Sequence, residues 1–91
     1  MKNHWLKINH VYVVDDGEQW WYVASSQADA QNRHCILCAC AGLLGLVEIT
    51  SITELSDDTL LAIRDEDDVV IEKTCLEWVS VGKGCIGSTV W

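Results

Sequence analysis

Trp5-Leu6-Lys7-Ile8-Asn9-His10-Val11-Tyr12-Val13-Val14, then Asp15-Asp16-Gly17-Glu18, then Gln19-Trp20-Trp21-Tyr22-Val23-Ala24, is the stretch that decides the fold. Both arms are rich in β-branched and aromatic residues in imperfect alternation, which suits a pleated surface. Between them, Asp16-Gly17 is a strong hairpin dipeptide, because glycine takes positive φ without a Cβ clash. The stretch therefore predicts an antiparallel hairpin with strands over Trp5–Val14 and Trp20–Ala24. Trp20 and Trp21 are adjacent in a strand, so their side chains point to opposite faces. If a helix covers one face only, one of the two indoles is exposed and available to a partner, as hot-spot tryptophans are; the alternative is that it lies under the chain terminus or the second helix.

Ser25-Ser26 ends the second strand and starts a helix. Ser26 with Asp29 three residues on makes a capping box with a shortened acid, which also suits the positive helix N-terminus. From Gln27 to Leu44, small or apolar residues at Ala28, Cys35, Ala39 and Leu43, with Ile36 and Cys40 beside them, predict one buried stripe. Gly42 or Gly45 can cap its end. Leu46–Leu55 reads as a strand, Thr59–Ile63 as strand or helix, and Val69–Glu72 as a short strand. Thr74–Val81 reads as a second helix with Leu76, Val79 and Trp78 inward, stopped by Gly82-Lys83-Gly84. Cys85–Trp91 reads as a terminal strand. The expected fold is α+β: an antiparallel sheet with one long helix packed on a face and a shorter second helix, in the order β-β-α-β-(β-β)-α-β, as a single domain over residues 1–91.

Composition narrows the function. Fourteen carboxylates stand against six Lys and Arg, a formal charge of −8. The acids bunch at Asp15, Asp16 and Glu18, at Asp57 and Asp58, and at Asp65, Glu66, Asp67 and Asp68. Such a surface repels DNA and RNA and is drawn to basic protein surfaces. The chain is 49% hydrophobic, too apolar for a disordered acidic tail. No apolar run is long enough for a signal peptide or a membrane span, so a cytoplasmic protein is expected. The five cysteines are an odd number, which argues against a closed disulfide framework.

His34, Cys35, Cys38 and Cys40 form the one dense set of potential metal ligands. A zinc site needs four donors converging on a tetrahedron. On a helix Cys35 and Cys38 share a face, while His34 and Cys40 point elsewhere, and the paired knuckles of a zinc ribbon are absent. The cysteines are therefore read as small apolar packing residues, with no metal and no cofactor. A metal- or thiol-dependent protein built on those four residues is the alternative. His34 and Cys38, four apart, can touch on one helix face, but a nucleophilic pair is normally drawn from separate elements beside a cleft, so no catalytic residue is assigned. Asp65-Glu66-Asp67-Asp68 lacks the alternating ligands, central glycine and distal glutamate of a calcium loop.

With those residues placed, the chain resembles a group of small acidic phage-encoded proteins that includes anti-CRISPR inhibitors. The resemblance lies in the first hairpin, in Trp21-Tyr22-Val23-Ala24-Ser25-Ser26-Gln27-Ala28-Asp29-Ala30, in Glu54-Leu55-Ser56-Asp57-Asp58, and in Gly84-Cys85-Ile86-Gly87-Ser88-Thr89-Val90-Trp91. It implies an inhibitor, not an enzyme, acting in a host bacterial cell. Such a protein binds a CRISPR-Cas effector stoichiometrically and blocks nucleic-acid binding or cleavage, as a nucleic-acid mimic, by steric occlusion or by an allosteric block. The expected contact residues are Asp15, Asp16, Glu18, Trp20, Trp21, Asp57, Asp58, Asp65, Glu66, Asp67 and Asp68. No direct contact with nucleic acid or membrane is expected. A homodimeric accessory phage protein, joined through the Cys-rich helix or a sheet edge, is a further reading.

Overall fold

The structure is a computed structural model that describes residues 9–40, 42, 48–64, 67–82 and 84–89. Its elements run β1 (His10–Asp15), β2 (Gln19–Ala24), α1 (Gln27–Cys40), β3 (Ser51–Glu54), β4 (Leu60–Arg64), β5 (Val70–Thr74), α2 (Cys75–Val79) and β6 (Gly84–Ser88). This is the expected α+β order. The ambiguous Thr59–Ile63 segment resolves as a strand. Expected tracts at Trp5–Ile8, Leu46–Val47 and Val90–Trp91 lie outside the described residues.

The opening hairpin is the frame. β1 and β2 pair antiparallel from His10 opposite Ala24 to Asp15 opposite Gln19. Three residues close it, with Gly17 at φ +102°, a conformation that a Cβ would strain. Two Asx turns fix the loop. Asp15 Oδ1 accepts from the Gly17 amide at 3.0 Å, and Asp16 Oδ1 from the Glu18 amide at 3.1 Å. β3 adds to β1 and β6 to β2, giving a four-stranded sheet of order β3-β1-β2-β6. A register shift between Trp21 and Tyr22 bulges the β2–β6 pairing. β4 and β5 form a separate hairpin.

Both faces of the sheet are covered, so the condition under which one indole would stand exposed is not met. On one face Tyr12, Val14, Trp20, Tyr22 and Ala24 pack beneath α1 with Ala30, Leu37, Ile49, Ile52 and Cys85. On the other, Val11, Val23 and Trp21 meet the β4–β5 hairpin and α2 through Ile63, Leu61, Cys75, Trp78 and Val79. Trp20 is 7% exposed and Trp21 half-buried, so neither indole is the free anchor that a bare sheet face would leave. Trp78 also donates its indole N–H to the Leu61 carbonyl at 2.9 Å, tying α2 to β4. Gly87 admits the hairpin: a Cβ there would lie 2.7 Å from Ile63 Cγ2.

The α1 cap follows the sequence with one displacement. The Asp29 amide donates to Ser26 Oγ at 3.0 Å, but the Asp29 carboxylate accepts from the amide and hydroxyl of Ser25 instead of from the cap residue. The buried face departs further from expectation. It is Ala30, His34 and Cys38, whereas Ala28, Ile36, Ala39 and Cys40 are exposed and Cys35 half-buried. Leu43 lies outside the described residues. An i, i+4, i+8 stripe is present, but its centre is a histidine, so a search for apolar spacing rotates the helix onto the wrong face. In α2 the buried residues are Cys75 and Trp78, while Leu76 is 60% exposed. Thr74 and Glu77 form a full capping box there.

Candidate functional site: the Asp16–His34–Cys38 cluster and the acidic turns

One polar cluster lies inside the α1 layer. The β1–β2 turn points the Asp16 side chain inward, under α1, where His34 meets it. Placed one helical turn on, Cys38 faces the same point. From β2, Trp20 and Tyr22 complete the wall on the α1 side of the sheet. His34 Nε2 lies 2.8 Å from Asp16 Oδ2 and 3.5 Å from Cys38 Sγ. The Tyr22 hydroxyl is 2.7 Å from His34 Nδ1, and Trp20 Nε1 donates to Asp16 Oδ1 at 3.1 Å. The His34 ring tilts against Trp20 at 5.1 Å and stands edge-on to Tyr22 at 5.7 Å.

Donor and acceptor rules fix the protons. An ionised carboxylate only accepts, so Nε2 carries a hydrogen toward Asp16. In the neutral ring Nδ1 then accepts from the Tyr22 hydroxyl. Burial works against ionisation of Asp16. The hydrogen bonds from the Glu18 amide, His34 and Trp20 together outweigh that cost and hold its carboxyl below the usual range. Burial, with the negative charge of Asp16 beside it, pushes the Cys38 thiol up. Burial also raises the Tyr22 hydroxyl.

This is poor geometry for a nucleophile. In a Cys–His–carboxylate triad, thiol and carboxylate sit on opposite ring nitrogens, so that one orients the ring while the other gives up its proton. Here both face Nε2, Tyr22 occupies Nδ1, and Cys38 is only 3% exposed. The sulfur is a protonated thiol without a substrate path. The alternative metal-ligand set also divides. His34 and Cys38 come together, while the other two cysteines do not join them. Asp16 does, an acid that the sequence placed on the surface. Its signal was the Asx-Gly turn itself, which aims one carboxylate back toward the strands.

The remaining acids distribute as follows. Asp15 is half-buried at the end of β1. Glu18 is exposed and accepts from the Thr89 hydroxyl. Asp57 pairs with His10 at 3.1 Å, and Asp58 accepts from Ser56. Asp57 and Asp58 thus sit beside the start of β1, at the opposite end of the strand from Asp15 and Asp16. Asp67 and Asp68 are exposed in the β4–β5 turn, where Asp68 takes φ +67° and pairs with Arg64 at 3.5 Å. Asp65 and Glu66 lie outside the described residues.

A shallow groove lined by Trp21, Ala62, Ile63, Arg64, Ser88 and Thr89 links two of these turns. Of its lining residues, Thr89 donates to Glu18 and Arg64 pairs with Asp68. None of the described helices is long and apolar enough to cross a membrane. No family model matches the chain, and comparison with curated proteins and with solved structures gives no match.

Proposed function

We propose that the protein is a stoichiometric binding protein, not an enzyme, whose acidic turns engage a basic, nucleic-acid-handling surface of a partner. The first partner to test is a CRISPR effector in a bacterial cytoplasm, where the protein would act as an inhibitor. The observation that carries this reading is the groove between the Glu18 and Asp68 turns. Its lining contains the half-buried Trp21, and two of its other lining residues, Thr89 and Arg64, hold the Glu18 and Asp68 carboxylates. Carboxylates so placed pair with Arg and Lys that normally hold phosphate, by charge-assisted hydrogen bonds. Of the two expected tryptophan contacts, Trp21 lines the groove while also packing on the hairpin, whereas Trp20 is committed to the core. The resemblance of the hairpin and terminal-strand segments to small acidic phage proteins supports the same reading.

The test is a binding assay with purified effectors across a salt series. Association should slow as salt rises, and Glu18→Lys with Asp67→Lys and Asp68→Lys should slow it by about tenfold or more. Asp57→Lys, at the other end of β1, should change it little. Direct binding of DNA at physiological salt would remove the proposal, as would charge-insensitive binding to the effector.

A further inference from the structure

We propose that Asp16, His34 and Cys38 form a binding site for a borderline-soft divalent ion of the zinc class, which staples the β1–β2 turn to α1. The inference stands apart from the partner reading above and does not need it. Its basis is convergence: one carboxylate oxygen, one imidazole nitrogen and one sulfur lie within 4.8 Å of one another. All three side chains are almost wholly withdrawn from water. Tetrahedral zinc with ordinary bond lengths sets an N···S edge of about 3.5 Å and an N···O edge of about 3.4 Å. The first matches the 3.5 Å separation of His34 Nε2 and Cys38 Sγ. The 2.8 Å His34–Asp16 hydrogen bond opens when the ion replaces its proton.

The neighbours strengthen the assignment, because each holds the atom that a metal would not use. Tyr22 sits on Nδ1, opposite the ligating nitrogen. Trp20 donates to Oδ1, opposite the ligating Oδ2. Such partners on the far side of imidazole and carboxylate ligands fix ring tautomer and carboxylate orientation. The proton count closes. Binding converts the Cys38 thiol to thiolate and releases one proton. The His34 proton moves from Nε2 to Nδ1 and is donated to the Tyr22 oxygen. The Tyr22 hydroxyl then turns its own hydrogen to the Cys85 sulfur beside it. One N, one O and one S donor favour zinc or cobalt over magnesium or calcium, which take oxygen ligands. Three protein ligands leave a fourth position for water.

The test is titration of chelator-treated, full-length protein with Zn²⁺ and Co²⁺. The expected result is one ion per chain, a rise in melting temperature, and a thiolate-to-cobalt charge-transfer band. Cys38→Ser should abolish the band, while Cys35→Ser and Cys40→Ser keep it. Tyr22→Phe should keep the band but weaken the affinity about 10–100-fold. X-ray absorption of the unsubstituted zinc form should find one sulfur ligand, a readout that does not depend on any variant folding. Failure to take up either ion overturns the site. A band that survives Cys38→Ser or follows Cys40, or two or more sulfurs at the ion, overturns it equally.

Discussion

His34 Nε2 and Asp16 Oδ2 meet at 2.8 Å with their side chains 1% and 5% exposed, so a turn residue and a helix residue share a hydrogen bond almost out of reach of water. In that position the bond is costly to break from one side. Asp16→Ala leaves both the imidazole and the Trp20 N–H without their acceptor and should destabilise by about 3 kcal/mol. The pH dependence has a definite sign. The folded carboxyl lies below its unfolded value near 3.9, so its contribution is complete above about pH 4 and is lost as pH falls through the folded pKa. In denaturant melts, the gap between the native protein and Asp16→Asn should therefore narrow on going from pH 7 to pH 3.

Both central tryptophans should prove structural. Trp20→Ala should cost about 3–5 kcal/mol, enough to unfold a domain of ordinary stability. Trp21→Ala, from a half-buried site against Ile63 and the hairpin, should cost less but still lower the melting temperature measurably. An unchanged melting temperature for Trp21→Ala would contradict the covered second face.

Gly87 and Ile63 should be coupled. Gly87→Ala drives a methyl into the Ile63 side chain and should cost about 1–3 kcal/mol. In a double-mutant cycle, Ile63→Ala should relieve much of that cost, so the double variant loses less than the sum of the singles. Additivity would show that the hairpin does not pack on β6 through this contact.

The cysteines should sort by burial. Cys40 is exposed, whereas Cys38 and Cys75 are buried with thiols pushed up chiefly by burial. Mass spectrometry after brief alkylation of folded protein should find Cys40 labelled first. Cys38 and Cys75 should be labelled only on unfolding.

The hairpin, the element order and the α1 N-cap were legible because each rests on local chemistry. Asp16-Gly17 between aromatic runs, Ser26 with Asp29, and Gly84 ahead of a terminal strand act within a few residues. The buried face of α1 was not legible, because its register is set by His34, whose burial depends on a carboxylate eighteen residues away. The same long-range fact hid Asp16 among the surface acids. The part of the β4–β5 hairpin in covering the second sheet face was missed for a related reason. β4 and β5 are among the more exposed tracts and flank an acidic turn, and Ile63 alone is buried in them. Nothing local in Leu60–Thr74 says that this hairpin docks rather than projects.

The strict alternation of β1 and β2 has a thermodynamic consequence. Tyr12, Val14, Trp20, Tyr22 and Ala24 form the wall of one cluster, while Val11, Trp21 and Val23 form the wall of the other. Two cores, each too small to support a domain, are thus the two sides of a single pair of strands. Separating β1 from β2 dismantles both at once, whereas losing α1 or the β4–β5 hairpin strips only one. The amide hydrogens of this strand pair should therefore exchange only on global unfolding, since the pair joins two modest clusters into one cooperative unit.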